Sequence, residues 1–282
     1  MANYAHPEVL VETEWVKENL SKPNVKIVEI DVDTKQYDAG HVPGAAGFNW
    51  QTQLQDQVTR DIISKDAFEK LVGAAGISPG DTVILYGDNN NWFAAYGFWL
   101  FKTYGHKDVR LMNGGRVKWL NEKDKSMTTD KPSPKPASYK VAQVNGELRA
   151  RLPEVMEAVK STGRINLVDV RSPDEFTGKI IAPPGMNETA QRGGHIPGAK
   201  SIPWSTAVKE DGTFKSADEL RSIYVQQKGV DAAKPTIAYC RIGERSSHTW
   251  FVLYYLLGIP QVKNYDGSWT EYGNLVGAPI ER

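Results

Sequence analysis

The two halves of this 282-residue chain repeat one another. The turn Gly40–Ala45, with the sequence Gly-His-Val-Pro-Gly-Ala, recurs 154 positions later in Gly194–Ala199 as Gly-His-Ile-Pro-Gly-Ala. Farther along, the apolar run Thr82–Tyr86 corresponds to Pro235–Tyr239 at an offset of 153. An offset that changes so little over such a distance indicates a duplication, so we expect two similar domains rather than one large one.

The halves differ by one insertion and are separated by a polar linker. Upstream of the repeated turn, Asp31 corresponds to Asp169 at an offset of only 138, so the second half carries about sixteen additional residues. We place them in Lys179–Arg192, where prolines and glycines predict a long loop. Residues 125–138 alternate Pro with Lys and Ser, which is typical of an extended linker. The predicted domains are residues 1–124 and 139–282.

Each half alternates short β-forming runs with helical stretches. The predicted strands are Lys26–Ile30, Thr82–Tyr86, Val109–Leu111, Asn166–Val170 and Thr236–Tyr239. The predicted helices include Ala67–Ala75, Trp92–Tyr104, Leu152–Ser161 and Ala217–Lys228. Alternation of this kind predicts an α/β fold, in which each half forms a parallel sheet flanked by helices.

Cys240 is the only cysteine of the chain, and it lies between the strand Thr236–Tyr239 and an apolar helical stretch. A sulfur atom in such a strand–loop–helix unit faces a helix N-terminus, where unpaired backbone N–H groups and the helix dipole stabilise an anion. Arg241 and Arg245 add positive charge nearby. These features favour a thiolate nucleophile. The alternative is a buried structural cysteine, for which the neighbouring Arg-Ile-Gly-Glu-Arg is poor core material.

The six residues Cys240–Arg245 are predicted to form an anion-binding loop, with the helix beginning near Ser246. Gly243 allows close backbone approach, and Arg245 is placed to pair with an oxyanion in bidentate fashion. The alternative for this arginine is to pair with Glu244 or to cap local carbonyls. Because two positive charges outnumber one negative charge in the loop, we expect the pKa of the thiol to lie below that of free cysteine.

The duplication also separates residues of the fold from residues of the chemistry. The histidine of the repeated turn occurs in both halves, as His41 and His195, so we interpret it as a hydrogen bonder that fixes the turn rather than as a general base. Asp31 and Asp169, at strand ends in both halves, receive the same interpretation. At the position of the cysteine the first half has Gly87, followed by Asp and three Asn. We therefore assign catalysis to the second half alone.

The sequence gives no indication of metal binding, nucleic-acid binding or membrane association. The remaining histidines, His6, His106 and His248, are not spaced as metal ligands, and no motif suggests a cofactor. Equal numbers of basic and acidic residues, 34 of each, give no reason to expect nucleic acid or an anionic membrane as a partner. The longest apolar runs, Trp92–Phe101 and Trp250–Leu257, are too short to span a bilayer.

The compartment and the oligomeric state can also be predicted. The first residues lack the pattern of a secretory signal, and one reactive thiol is best kept in a reducing compartment. We therefore expect a cytoplasmic protein. Because the duplication already supplies two domains in one chain, we expect a monomer.

The duplication, the Gly-His-Ile-Pro-Gly-Ala turn and the loop Cys240–Arg245 together resemble the tandem-domain rhodaneses, which are thiosulfate sulfurtransferases. The resemblance covers nearly the whole chain and implies that the partners are a small-molecule sulfur donor and a small-molecule sulfur acceptor. It implies two α/β domains with parallel sheets of about five strands, of which only the C-terminal one is active. It also implies that the cysteine attacks the outer sulfur of thiosulfate, releases sulfite and holds a persulfide, which a thiophile such as cyanide then removes. In the loop, Arg245 and Arg241 are implied to bind the donor, beside Ile242, Gly243, Glu244 and Ser246.

Two departures from the family pattern concern the binding of the donor. Ile242 stands where well-known thiosulfate enzymes have lysine, and Glu175 stands where many relatives have arginine. Positive charge would then come from Arg171 and Arg192 in addition to the two loop arginines. The alternative for Arg171 is a structural role, with Asp174 or a neighbouring carbonyl as its partner.

Several functions stay open at this point. Arg241 directly after the cysteine favours thiosulfate, because enzymes that use 3-mercaptopyruvate typically have glycine there; mercaptopyruvate is the alternative donor. A carrier that hands persulfide sulfur to a protein partner, or a binding module, is a further possibility. A phosphatase or arsenate reductase is disfavoured, because the Cys-x4-Arg spacing is one residue shorter than the Cys-x5-Arg loop that suits a tetrahedral phosphate.

Overall fold

The computed structural model describes residues 3–186 and 190–282, and within these residues the chain forms two compact units. The first unit comprises residues 8–146 and 209–214. The second comprises the described residues up to Pro7 together with residues 147–208 and 215–282. Each unit thus includes one short segment from the other half of the sequence.

The first unit contains a five-stranded parallel sheet. Its strands are β1 (Leu10–Val11), β2 (Val25–Asp31), β3 (Ala46–Asn49), β4 (Thr82–Tyr86) and β5 (Val109–Met112). They lie in the order β1-β5-β4-β2-β3. The helices are α1 (Thr13–Asn19), α2 (Lys35–Ala39), α3 (Trp50–Gln53), α4 (Lys65–Ala74), α5 (Trp92–Thr103) and α6 (Gly115–Asn121).

The second unit repeats this arrangement. Its strands are β6 (Asn166–Asp169), β7 (Lys200–Ser201), β8 (Thr236–Tyr239) and β9 (Val262–Tyr265). They are parallel and lie in the order β7-β6-β8-β9. A parallel bridge between Arg149 and Asn264 extends the β9 edge, at the place that β1 takes in the first unit.

The helices of the second unit lie between and beyond these strands. They are α7 (Leu152–Lys160), α8 (Pro173–Phe176), α9 (Ala217–Arg221), α10 (Glu244–Phe251) and α11 (Ser268–Tyr272). The helices α9 and α10 continue as π-helical turns over Ser222–Gln227 and Val252–Leu256. Short 3₁₀ turns occupy Pro7–Val9, Asn89–Asn91, Gly146–Leu148 and Trp204–Ala207.

The inner strands are the apolar runs that the sequence predicted. Every residue of β6 and β8 is buried, as is typical of parallel sheets with helices on their faces. The predicted α/β class is confirmed, and the predicted strands match β2, β4, β5, β6 and β8 to within one residue at each end. The strands β1 and β7 were missed because two residues carry no alternation pattern, and β3 and β9 because Gly47 and Asn264 interrupt their apolar character.

The repeated turn is fixed in the same way in both units. In the first, Nδ1 of His41 donates to the carbonyl oxygen of Tyr37 at 2.9 Å, and the two rings stack with centroids 3.9 Å apart. In the second, Nδ1 of His195 donates to the carbonyl oxygen of Phe176 at 2.9 Å, and those rings stack at 3.5 Å. The interpretation of both histidines as turn-fixing hydrogen bonders is confirmed.

The predicted linker and the predicted long loop both lack helices and strands where the structure describes them. Residues 125–138 form one isolated bridge, between Thr128 and His41, and belong to the first unit, where the N–H of Ala137 donates to the carbonyl oxygen of Gly73 at 2.9 Å. In the loop predicted over residues 179–192, residues 179–186 and 190–192 contain turns and bends only. Residues 187–189 of that prediction lie outside the described residues.

Within residues 3–186 and 190–282, no helix combines the length and the apolar content that crossing a bilayer demands.

Replacing Gly87, the counterpart of the cysteine in the first unit, should destabilise that unit. A Cβ atom added there would lie 2.3 Å from the carbonyl oxygen of Ile30 and 2.7 Å from Oδ1 of Asp31, so the backbone would have to move. We expect Gly87→Ala to lower the free energy of unfolding by about 1–3 kcal/mol, measured by urea denaturation. Gly80→Ala is the matched control, because a Cβ atom there meets nothing within 4 Å. Equal stabilities of the two variants would contradict the steric argument.

Candidate active site

Cys240 lies directly after the carboxyl end of β8, an inner strand of the second unit's sheet. Ligand sites of parallel α/β sheets form at this edge. Its side chain is 0% exposed, and the neighbouring side chains of Arg241, Ile242, Glu244 and Arg245 are buried as well. The sulfur atom and its loop are therefore largely shielded from water.

The helix after the loop begins at Glu244, two residues earlier than predicted. Gly243 allows this early start, because its φ of +104° lies in the region that favours glycine. The N–H of Ser247 then donates to the carbonyl oxygen of Gly243 at 3.0 Å and closes the first turn. Consequently Glu244 and Arg245 belong to α10, and the loop itself is Cys240–Gly243.

Two groups of this segment contact the sulfur atom from different sides. The backbone N–H of Gly243 donates to Sγ at 3.1 Å, as expected of an anion-binding loop. The thiol donates to Oε2 of Glu244, with 3.4 Å between sulfur and oxygen. The hydroxyl oxygen of Ser268, the first residue of α11, accepts the N–H of Cys240 at 3.0 Å. The cysteine thus lies between a helix N-terminus and a carboxylate.

The pKa of the Cys240 thiol is raised, which corrects the prediction that it would be lowered. Burial is the main cause, and the negative charge of Glu244 adds to it. The positive charge of Arg245 and the hydrogen bonds from Ser246 act in the opposite direction without outweighing them. The prediction counted charges and omitted desolvation, which disfavours the ionised form of a buried thiol. At neutral pH the resting thiol is therefore protonated.

Glu175 holds the guanidinium of Arg245 from 70 positions upstream. The nitrogens Nη1 and Nη2 donate to the two carboxylate oxygens at 2.9 and 3.0 Å, and both side chains are buried. The bidentate partner predicted to be a substrate oxyanion is thus a carboxylate of the protein. Burial acts to raise the pKa of Glu175, but the hydrogen bonds and charge of Arg245 outweigh it, so the pKa lies below its ordinary value.

Glu175 also caps its own helix. The N–H of Ser172 donates to Oε2 of Glu175 at 3.0 Å, and the N–H of Glu175 donates to Oγ of Ser172 at 3.2 Å. The sequence Ser-Pro-Asp-Glu carries the pattern of such a capping box, so this role could have been predicted. The pairing of Glu175 with Arg245 could not have been predicted, because the two residues are 70 positions apart in the sequence.

Arg171 is buried against Asp169 rather than Asp174. Its Nη2 donates to Oδ2 of Asp169 at 2.6 Å and to the carbonyl oxygen of Gly194 at 2.7 Å. Its guanidinium also lies 4.6 Å from the ring centroid of Trp269. These contacts confirm the structural role of Asp169 and indicate one for Arg171, whose part in donor binding stays a prediction.

Asp31 plays a comparable part in the first unit. Its Oδ1 accepts the N–H of Asp88 at 2.7 Å, so the carboxyl group holds the backbone that follows β4. Burial, together with the negative charges of Asp88 and Glu29, raises the pKa of Asp31 to about 10. The group is therefore neutral at pH 7, which agrees with its interpretation as a residue of the fold.

Arg192, in the inserted loop, donates to main-chain carbonyl oxygens. Its nitrogens Nε, Nη1 and Nη2 contact Gly273, Ala278 and Tyr272 at 3.0, 2.7 and 3.2 Å. The indole N–H of Trp269 donates to the carbonyl oxygen of Arg192 at 2.9 Å. These contacts indicate that Arg192 anchors the end of the inserted loop, and its predicted role toward the donor is not tested by them.

Arg241 is the predicted donor-binding arginine that the structure places beside both the nucleophile and the inserted loop. Its Nη2 lies 2.6 Å from the thioether sulfur of Met186. The N–H of Thr270 donates to its carbonyl oxygen at 3.0 Å, which fixes the backbone next to Cys240. The structure therefore brings Cys240, Arg241 and the inserted loop together.

Two polar residues that support the loop were missed by the sequence analysis. Oγ of Ser246 donates to Oδ1 of Asn264 at 2.6 Å, and Nδ2 of Asn264 donates to Ser247 at 2.8 Å. The second missed residue is Ser268, which accepts the N–H of the cysteine. At an offset of 153 the first half has Leu111 and Gly115 at these positions. A polar residue present in only one copy was therefore the available signal.

Among the described parts of the chain, no group of three or more His, Cys, Asp or Glu side chains is arranged to hold a metal ion.

Known proteins resemble this chain over both halves. Residues 12–122 and 152–275 each match the rhodanese-like domain. A protein of Haloferax volcanii named "Putative thiosulfate sulfurtransferase" is 55% identical over 280 residues, which cover 98% of this chain and 96% of that protein. The "Sulfur carrier protein TtuD" of Thermus thermophilus is 55% identical over 282 residues, which cover 99% of this chain and 98% of that protein.

A solved structure shows the same fold. The crystal structure of SseA from Escherichia coli, described as a 3-mercaptopyruvate sulfotransferase, superposes with a TM-score of 0.80 and 25% sequence identity. The match covers 93% of this chain and 98% of SseA.

The buried pair of Glu175 and Arg245 generates a stability prediction. Glu175→Gln should lower the free energy of unfolding of the second unit by about 3–5 kcal/mol, because it leaves a buried guanidinium without its counter-charge. Urea denaturation followed by tryptophan fluorescence measures this change. Asp174→Asn is the matched control, because Asp174 is exposed and pairs with Lys179 at 3.3 Å, a contact we expect to contribute little.

The same variants predict a pH dependence. The pKa of Glu175 is lowered in the folded protein, so its contribution to stability is complete above the unfolded pKa, about 4.3, and is lost as the pH falls through the folded pKa. The stability difference between the wild type and Glu175→Gln should therefore shrink in acid. A difference that is small at neutral pH, or that grows in acid, would contradict this account.

Proposed function

The chain belongs to the rhodanese family of sulfurtransferases, and from this premise we propose that it moves the sulfane sulfur of thiosulfate to a thiophilic acceptor through a persulfide on Cys240. The observation that carries the proposal is the backbone N–H of Gly243, which points at Sγ from 3.1 Å at the N-terminus of α10. A thiolate and the terminal sulfur of a persulfide are both anions that this helix end stabilises.

The proposed reaction has two steps. In the first, the thiolate of Cys240 attacks the outer sulfur of thiosulfate, the sulfur–sulfur bond of thiosulfate breaks, and its electron pair leaves with sulfite. In the second, a thiophile such as cyanide attacks the terminal sulfur of the persulfide, and the thiolate of Cys240 is regenerated. No redox cofactor is needed, because each step exchanges one sulfur–sulfur bond for another bond to sulfur.

Arg241 is the residue that we propose to bind the donor. It follows Cys240 directly in the loop, and its permanently charged side chain is buried, with Nη2 2.6 Å from the thioether sulfur of Met186 in the inserted loop. For Arg245 we propose a supporting role, because its two terminal nitrogens hold Glu175 and thereby fix the first turn of α10. The donor then contacts the loop through Arg241 and the amide of Gly243.

Other members of the same chemistry stay as second candidates. The fold shared with SseA, a 3-mercaptopyruvate enzyme by its description, supports mercaptopyruvate as an alternative donor. The 55% identity to a protein named as a sulfur carrier supports a protein as the natural acceptor. Arg241 at the position after the cysteine favours thiosulfate over mercaptopyruvate.

The persulfide can be detected directly. After brief incubation with excess thiosulfate, we expect the intact mass of the protein to increase by one sulfur atom and to return to its starting value when cyanide is added. Cys240→Ser is the control, and it should gain nothing because it lacks the nucleophile. Loading by mercaptopyruvate but not by thiosulfate would replace the proposed donor, and absence of loading by either would remove the proposed enzyme.

The donor-binding role of Arg241 can be tested with Arg241→Gln. Hydrogen bonds to a charged group contribute about 1.5–3 kcal/mol, so we expect kcat/KM for thiosulfate to fall about 10- to 150-fold. The exposed Arg164 supplies the control, and Arg164→Gln should leave steady-state kinetics unchanged. An unchanged kcat/KM for Arg241→Gln would show that the donor binds elsewhere.

A further inference from the structure

The contact between Cys240 and Glu244 pairs a thiol with a carboxylate inside a closed loop. Sγ and Oε2 are 3.4 Å apart, and the two side chains are 0% and 1% exposed. A thiol proton in this position has a carboxylate oxygen within reach and little water around it. Two hydroxyl groups also interact with the sulfur: Ser246 through a hydrogen bond, and Ser268, whose Oγ lies 3.9 Å from Sγ.

The charged groups around this pair largely balance one another. Arg245 lies beside Glu244, with 3.5 Å between Nε and Oε1, but its Nη atoms hold Glu175 from α8. At the end of β9, Asp266 is held by Arg149 through hydrogen bonds of 2.7 and 2.8 Å. Arg241, the other cation of the loop, has its Nη2 2.6 Å from the thioether sulfur of Met186. The positive charges next to the loop therefore have partners other than the sulfur.

The proposed function requires a thiolate at the moment of attack, whereas the buried resting thiol is protonated. A general base must lie within hydrogen-bonding reach of the proton that it removes. Glu244 meets this condition through Oε2. Its backbone lies in the first turn of α10, where the helix dipole stabilises a negatively charged side chain.

We propose that Glu244 is the general base of this site, which takes the thiol proton of Cys240 when the sulfur attacks and returns it when the sulfur has been passed on. This assignment rests on the persulfide mechanism proposed above and adds a second catalytic residue to it. In the first step the S–H bond of Cys240 breaks, an O–H bond forms on Oε2, and the new sulfur–sulfur bond forms as sulfite leaves with the electron pair of the broken one. Charge balances, because a thiol, a carboxylate and the thiosulfate dianion become a persulfide anion, a carboxylic acid and the sulfite dianion.

The second step reverses the proton movement. The acceptor takes the terminal sulfur, the electron pair of the persulfide bond returns to Sγ, and the proton moves from Oε2 back to sulfur. While the persulfide exists, the neutral carboxylic acid of Glu244 removes a negative charge from beside the persulfide anion. The carboxylate of Glu244 raises the pKa of the resting thiol. In the proposed mechanism it is neutral while the persulfide anion occupies the site.

The test compares two pH profiles in the wild type and in Glu244→Gln. The first is the titration of the thiolate, followed by its ultraviolet absorbance with Cys240→Ser as the blank. The second is the rate of persulfide formation with excess thiosulfate, followed by rapid quenching and intact mass from about pH 5 to about pH 10, which spans the ordinary carboxyl and thiol pKa values. Thiosulfate stays a dianion over this range, so changes of rate report on the protein.

In the wild type, the rate should persist well below the pH at which the thiolate appears, because the carboxylate supplies the base. In Glu244→Gln, the two profiles should coincide, and the acid limb of the rate should move up by about 2 pH units or more, since the thiol must ionise unaided. Near pH 6 the variant should load at least about 100-fold more slowly than the wild type. The thiolate itself should appear at a lower pH in the variant, because the negative charge beside it has been removed.

Two controls separate catalysis from folding. Glu244→Gln should still load completely at alkaline pH, which shows that the site is intact. Glu244→Asp keeps a carboxylate on a shorter side chain, and it should retain the acid limb of the wild type at a reduced rate. A wild-type rate that follows the thiolate titration, or an acid limb that does not move in Glu244→Gln, would overturn the role of Glu244.

The outcome for Glu244 is distinguishable from that for the donor. If thiosulfate does not load the wild type, the proposed donor fails, and the same comparison is made with iodoacetamide, a neutral electrophile that needs only a nucleophilic sulfur. Alkylation of the wild type below its thiolate titration, lost in Glu244→Gln, supports the base. Equal profiles for the two proteins would remove it.

Discussion

A buried carboxylate–guanidinium pair, Glu175 with Arg245, joins the first turn of α10 to the capping box of α8. Burying either ion without the other costs desolvation free energy, so the fold must place both side chains in contact. Because Arg245 is five residues after the nucleophile, this requirement also fixes where the loop of Cys240 ends and the helix begins. The direction of the Gly243 amide toward the sulfur follows from that early helix start.

The same pair changes the electrostatics that the loop sequence suggests. The negative charge of Glu175 balances the positive charge of Arg245, and the negative charge of Asp169 balances the positive charge of Arg171. Desolvation then disfavours the ionised form of the buried thiol. The thiol therefore rests protonated, and the base that we propose for it is the neighbouring carboxylate of Glu244 rather than a positively charged pocket.

The two copies of the fold use their buried polar groups differently. In both, a tyrosine hydroxyl at the end of the inner strand accepts the N–H of the residue after the turn histidine, at 2.9 Å for Tyr86 and 3.1 Å for Tyr239. The core of the first unit also contains a buried ion pair between Glu29 and Arg116, with 2.6 Å between Oε1 and Nη1. The equivalent positions of the second unit are Leu167 and Trp269, and the buried ion pair of Glu175 with Arg245 lies next to the loop of Cys240 instead. The contacts retained in both copies are those of the fold.

The sequence alone determined the duplication, the α/β class, the inner strands and the structural part of His41 and His195, and it predicted Cys240 as the nucleophile. These are local properties, since they follow from apolar runs, turn residues and the comparison of two copies within a few positions. Only the tertiary structure decided that Arg245 is held by Glu175, that Asn264 and Ser268 support the loop, and that the pKa of Cys240 is raised. Pairing across 70 positions and the loss of water around a thiol depend on which segments the fold brings together, and a count of charges along the chain contains neither.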